Sequence, residues 1–346
     1  MRSILCSLES GVQPTKKELI TLLYSRQQEA QHLRDFAVRT ARERFGRSIF
    51  VRGLIEISSY CKNDCFYCGL RASNTTAERY RLTDEQILEC CQAGYKAGIR
   101  TFVLQGGEDS YWSDERLAPL ISKIDSLYPD AAITLSLGER SDESYRALRA
   151  AGAERYLLRH EAASRVLYNA IHPARMSHDN RLRAIKTLLA EGYQTGMGMM
   201  IGVPSQRVED IAEDLALIAT LRPQMVGIGP FIPHPATPFA EHPAGNIDLT
   251  LNAIAIVRLL LPDALIPATT ALATLSSEGH RLAIEAGANV IMPNLSPTAV
   301  RSKYAIYAGK AVAGTEAAEN LTTLEAELAE FGYTINYDKG DYNEHI

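Results

Sequence analysis

The stretch Ile49-Phe50-Val51-Arg52-Gly53-Leu54-Ile55-Glu56-Ile57 leads through Ser58-Ser59-Tyr60 into Cys61-Lys62-Asn63-Asp64-Cys65-Phe66-Tyr67-Cys68. It reads as a buried strand opening into a loop with three crowded cysteines. The run is mostly continuous in its apolar residues, the pattern of a parallel strand covered on both faces. Similar runs recur at Arg100–Gln105, Ala131–Leu137, Arg155–Arg159, Gln194–Ile201, Met225–Ile228, Ala264–Thr269 and Ala288–Met292, eight in all.

Between these runs lie amphipathic stretches that end at Gly98, Gly152, Gly192 and Gly287, each just before a new strand. Glycine after a helix and a short turn into a strand form the usual αβ connection. Thr83-Asp84-Glu85-Gln86 reads as a capping box, and Pro223 and Pro262 stop two further helices. Eight βα units over roughly 250 residues predict an α/β fold with one full (β/α)8 TIM-type barrel. The division is an N-terminal helical cap over 1–48, the barrel over 49–310, and a C-terminal helix and polar, frayed tail over 311–346. A doubly wound sheet is the alternative, but its glycine fingerprint is missing, since Gly196-Met197-Gly198 and Gly202 have the wrong spacing.

The 346 residues are 46% hydrophobic and 22% charged, with 36 basic and 41 acidic side chains giving a net charge of -5. This is ordinary for a globular protein, and no basic patch points to nucleic acid. The longest apolar stretch, Ala253–Leu275, is interrupted by Arg258, Pro262, Asp263 and Pro267, so no membrane span is expected. The start, Met1-Arg2-Ser3-Ile4-Leu5-Cys6, is too short in apolar residues for a signal peptide. Three of the six cysteines share one tight motif, which argues for a reducing, cytoplasmic setting.

Cys61, Cys65 and Cys68 follow a strand end, where barrel proteins place their active sites. Three thiolates can hold three corners of a 4Fe-4S cluster and leave one iron open, whereas four would close it. A structural zinc would need a fourth nitrogen or sulfur ligand, and the nearest downstream histidine is His160. The spacing C-x3-C-x2-C, with Tyr67 before the last cysteine and the βα alternation around it, resembles the radical S-adenosylmethionine (SAM) enzymes. That resemblance implies that SAM binds the open iron through its amino and carboxylate groups. One electron would then cleave it to methionine and a 5′-deoxyadenosyl radical.

The resemblance extends to later strand ends. Gln105-Gly106-Gly107-Glu108-Asp109 looks like the segment that binds the SAM amino group, with small residues allowing close approach. Ser136 and Glu139 are similarly expected at ribose or the amino end, and Tyr67, Glu161 and Arg181 at SAM. Longer segments, such as Val226–Pro235, Ile266–Ala271 and Ala288–Asn294, resemble those of the FeFe-hydrogenase maturases within that superfamily. This implies a role in building the two-iron subcluster, acting on an iron complex with CO, cyanide and cysteine. Implied partners are the maturases HydG and HydF and an electron donor of ferredoxin or flavodoxin type. Arg159, Met225, Thr269, Thr270, Met292 and Tyr304 are carried over as the substrate end, with the methionines equally readable as core filling.

Other features are more local. Cys90 and Cys91 read as packing residues on the helix opened by Thr83, His160 as either a cavity or a structural residue, and His234 as part of a rigid loop by the adenine pocket. Three other functions compete. A radical SAM mutase resembling methylornithine synthase shares the same requirements. A biotin-synthase-like sulfur inserter would use a second cluster, and no cysteine follows Cys91. An iron–sulfur carrier would need no SAM contacts.

Overall fold

The computed structural model describes residues 2–310 and 318–343. Helices α1 (Arg2–Glu9), α2 (Lys16–Leu23) and α3 (Gln27–Phe45) come first, followed by β1 (Ser48–Val51) and β2 (Gly53–Ser58). Then come α4 (Asp84–Lys96), β3 (Thr101–Gly106), α5 (Asp114–Leu127), β4 (Ala132–Ser136), α6 (Asp142–Ala150) and β5 (Ala153–Leu157). Next are α7 (Arg165–Ile171), α8 (His178–Ala190), β6 (Gln194–Ile201), α9 (Val208–Leu221), β7 (Met225–Pro230) and α10 (Ile247–Leu260). The chain continues with α11 (Thr270–Leu275), α12 (Gly279–Ile284), β8 (Val290–Ile291), α13 (Thr298–Arg301), α14 (Leu321–Glu330) and β9 (Thr334–Asn336).

Strands β2 to β7 form a six-stranded sheet in sequential order, every neighbouring pair parallel. All carboxyl ends therefore point the same way. The expected strand ends agree most closely at β6, and the capping box is formed, with Gln86 N donating to Thr83 Oγ1 and Thr83 N to Gln86 Oε1. Gly98, Gly152, Gly192 and Gly287 all carry positive φ. At Gly152 (φ +116) that conformation, which costs an L side chain dearly, turns α6 directly into β5.

Besides shifted ends at β5 and β8 and the added β9, two expected runs change character. The run Ile49–Ile57 is divided at Arg52, where its neighbour on one side changes from β9 to β3. Its other side follows 290–294 throughout, with Phe50 paired to Val290, Arg52 N bonded to Ile291 O, and Leu54 N to Pro293 O. Ala264–Thr269 is not a strand but makes isolated parallel bridges, Met225 with Leu265 and Pro267 with Val290. Pro267 has no N–H to give a ladder, so this segment pairs only intermittently.

The core is continuous from the strands to the surrounding helices. Helices α2 and α3 lie against α9 and α10, flanking the sheet. The tail corrects the expected fraying. Lys339 O accepts from Thr101 Oγ1 at 2.8 Å and from Arg155 Nη2 at 2.8 Å, and Asp341 pairs with Arg155 at 2.8 Å. Polar composition suggested solvent, but two buried arginines, Arg52 and Arg155, need the carbonyl and carboxylate oxygens this segment brings.

Candidate active site

The cysteine loop leaves β2 at the carboxyl end of the sheet and is pinned from several sides. Lys62 N bonds to Glu108 O, Phe66 N to Ile171 O, and Gly69 N to Ile306 O. Asp64 receives both arms of Arg71 at 2.8 Å, which holds its carboxyl well below the usual range. Arg79 threads under the loop and donates to the carbonyls of Ser59, Leu70, Arg71 and Asn74. A guanidinium with five fixed donors suits this task, and the loop is thereby preorganised.

Cys61, Cys65 and Cys68 are half-buried, and burial pushes all three thiols up, Cys68 to about 12. Each lies within electrostatic reach of another, so three thiolates together require a strongly positive body between them. Among the described residues no group of three or more His, Cys, Asp or Glu gathers closely enough for a single metal ion. Three cysteine sulfurs on one loop are the donor type that would hold three corners of a 4Fe-4S cluster.

Tyr67 donates its hydroxyl to His172 Nε2 at 3.1 Å, while His172 Nδ1 meets Tyr168 O at 2.9 Å. Burial and the nearby Arg181 depress His172 to about 3, so the ring is neutral and this bonding pattern selects the Nδ1–H tautomer.

Gly107 explains why the Gly106-Gly107 pair follows β3. A Cβ there would lie 2.3 Å from Tyr60 O and 2.6 Å from Cys61 Cβ. The glycine makes room for the cysteine loop itself. Glu108 then reaches across to accept from Glu139 N at 3.0 Å and pairs with Lys62 at 3.2 Å. Gln105 and Ser136 stand in one register row with Glu56, on neighbouring strands β3, β4 and β2.

Glu139 accepts from Arg181 Nε at 2.6 Å and from Asn180, and Arg181 Nη1 donates to Arg159 O at 2.6 Å. Arg159 Nε meets Glu161 Oε1 at 3.1 Å. Glu161 sits at φ +65, its N bonded to Gly198 O, and its buried Oε2 has no partner. Thr269 Oγ1 is likewise buried and unpaired. Two buried polar groups without a partner, one after β5 and one after the 264–269 segment, are a cost that a ligand with N–H or O–H groups would remove.

The remaining expected residues divide. Thr269 and Thr270 are half-buried where the 264–269 segment enters α11, Met292 is half-buried just past β8 and packs on the cluster of Met225, Leu265 and Val290, and Tyr304 is buried. Met225 opens β7 at the opposite end, its sulfur 3.0 Å from Arg52 Nη1. His160 is fully buried, bonded to Asp214 at 3.2 Å and to Gly198 N at 3.3 Å, which favours its structural reading. His234 packs on Gly69, next to Cys68. Cys90 and Cys91 are buried on α4 among apolar neighbours.

One cluster escaped the sequence reading. Glu56, fully buried on β2, pairs with Lys310 and accepts from Asn294 Nδ2 at 3.0 Å. Lys310 lies 4.8 Å over the Tyr304 ring. The signal was a lone acid inside the apolar run Gly53–Ser58.

Residues 55–218 match the Radical SAM superfamily. The chain is 44% identical over 269 residues to the [FeFe] hydrogenase maturase subunit HydE of Thermotoga maritima, covering 78% of this chain and 76% of that protein. The chain belongs to the radical SAM superfamily and is a radical SAM enzyme, using a 4Fe-4S cluster and SAM. Within the superfamily it is also 30% identical to 3-methylornithine synthase of Methanosarcina barkeri, over 83% of this chain and 81% of the other. The crystal structure of methylornithine synthase (PylB) superposes with a TM-score of 0.81 at 25% identity, covering 96% and 97% of the two chains.

Proposed function

We propose that this chain is a radical SAM maturase that acts in assembly of the two-iron subcluster of FeFe-hydrogenase. The observation that carries the reading is the 44% identity to HydE across 78% of the chain. When bound, a 4Fe-4S cluster with an open iron supplies one electron to the SAM sulfonium and yields a 5′-deoxyadenosyl radical. The chain's own residues bind, orient and enclose.

Cys61, Cys65 and Cys68 hold the cluster, and Tyr67 braces the loop through His172. Gln105, Gly106, Gly107, Glu108, Ser136, Glu139, Glu161 and Arg181 form the SAM side. The free Glu161 Oε2 supports this assignment, being placed to accept from an ammonium or hydroxyl. Arg159, Thr269, Thr270, Met292 and Tyr304 line the substrate end, with Met225 deeper toward the base. Arg159 suits the carboxylate of a cysteine-bearing iron complex, and Thr269 Oγ1 offers a hydroxyl.

We also infer closure into a full (β/α)8 barrel over 49–310. Support comes from the parallel bridges Met225–Leu265, Pro267–Val290 and Leu54–Asn294, which run from β7 back to β2. Closure shields a radical from water. HydG as supplier, HydF as acceptor and a ferredoxin- or flavodoxin-type donor complete the proposal. A cytoplasmic setting is supported by the tight motif that takes three of the six cysteines; among the described residues no helix is long and apolar enough to cross a membrane.

The test is anaerobic. Reconstituted protein with dithionite and SAM should form 5′-deoxyadenosine, and adding the iron–cysteine complex should give an organometallic radical by EPR. The mutase reading rests on the 30% identity to 3-methylornithine synthase. Conversion of lysine to a branched isomer would establish it and overturn the maturase reading.

A further inference from the structure

Beside the cysteine loop lies a surface that the proposed chemistry leaves unused. Tyr60 and Tyr111, 37% and 38% exposed, are two of the few large apolar side chains presented to solvent. Arg81 is stacked against both, 3.8 Å from the Tyr60 ring centroid and 4.9 Å from that of Tyr111. Arg116 covers Tyr111 at 4.2 Å and donates to its hydroxyl at 3.1 Å. Lys62 flanks this ladder of rings and guanidiniums with its side chain 64% exposed.

The charges on this face are layered. Lys62 and Arg81 are partnered from beneath by Glu108 and Asp109, whose side chains are only 10% and 3% exposed. Arg116 is exposed as well. A partner therefore meets three outer cations and the aromatic rings, and with the two acids beneath counted these five groups carry one net positive charge on a chain whose net charge is -5. Arginine and tyrosine are the residues that carry binding energy at transient interfaces, and a local charge opposite to the global one orients an encounter. Position gives the face its meaning. Tyr60 and Lys62 are the immediate neighbours of Cys61, so a molecule docked here is one residue from a cluster ligand.

We propose that the face formed by Tyr60, Lys62, Arg81, Tyr111 and Arg116 docks an acidic, low-potential one-electron carrier protein. In the step it serves, the carrier loses one electron and the oxidised cluster gains it, with no proton or group transferred. The inference rests on the radical SAM reading of the cysteine loop.

The experiment compares wild type with Tyr111→Ser/Arg116→Glu, residues outside the proposed SAM and substrate sites. Affinity for an acidic flavodoxin is measured on the cluster-loaded protein at low ionic strength. Cluster reduction by flavodoxin hydroquinone and by dithionite is followed in parallel. The double variant is expected to bind flavodoxin at least tenfold more weakly, with reduction by subsaturating flavodoxin slowed in proportion. Dithionite-driven 5′-deoxyadenosine formation should remain as in wild type. Arg116→Gln should weaken binding less, and Arg281→Glu, on α12, should not change it. Equal flavodoxin affinity in wild type and double variant, or equal weakening by Arg281→Glu, overturns the docking face. Absence of dithionite-driven cleavage in wild type would instead overturn the radical SAM reading of the site.

Discussion

Two ion pairs, each with one fully buried partner on the sheet, fasten C-terminal segments to opposite ends of the same sheet, with reversed polarity. At the carboxyl end, the sheet contributes the acid, Glu56, and the segment after α13 contributes Lys310. At the amino end, the sheet contributes the cation, Arg155, and the tail contributes Asp341. The difference lies in what each pair can do when its partner is lost. A buried carboxyl can take up a proton, and burial already pushes Glu56 upward. A guanidinium cannot shed its charge, so Arg155, with a fully buried side chain, depends on Asp341 and on Lys339 O. The amino end is built for permanence and the carboxyl end for adjustment. The cysteine loop and the unpaired polar atoms of Glu161 and Thr269 lie at the adjustable end.

The sharpest separation of the two ends comes from Cys65→Ser. It should cut 5′-deoxyadenosine formation by at least about a thousandfold, roughly 4 kcal/mol. Thermal melting of the unloaded protein should stay close to wild type, and a large drop in melting temperature would blur the distinction. Asp341→Asn should do the reverse. Stranding Arg155 is expected to cost about 2–4 kcal/mol in urea unfolding, with SAM cleavage at 25 °C unchanged.

Lys310→Met should cost less, about 1 kcal/mol, because the stranded Glu56 takes up a proton. If it proves as destabilising as Asp341→Asn, the contrast between the ends is wrong. The smallest effect is in pH. Burial works against the Asp341 charge, but hydrogen bonds from Arg155 and Gln194 bring it down to about 2 from an ordinary 3.8. A depressed carboxyl stabilises above its unfolded pKa and loses that contribution as pH falls through its folded one. Urea midpoints should therefore fall between about pH 4 and pH 2 in wild type, and less steeply in Asp341→Asn.

The sequence made the repeating strand–helix units legible because each carries a continuous apolar run and a terminal glycine, signals that are local. Ala264–Thr269 misled because its apolar run outweighed Pro267, which stood in the sequence and whose missing N–H leaves only isolated bridges. The cysteine loop was legible from spacing alone. Glu161 and Arg181 needed resemblance, since nothing in Tyr156–Glu161 foretells a positive φ or an unpaired oxygen. Lys310, His172 and the polar tail went unread because their partners are far away in the chain: Glu56, Tyr67 and Arg155 meet them only after folding.

Gly107 ties two motifs together that a sequence search treats as separate. Because any side chain there would run into Tyr60 and Cys61, the thiol loop and the diglycine turn form one transplantable unit. An engineer grafting the first onto another scaffold must bring the second along, or the loop will be pushed off its seat before any iron arrives.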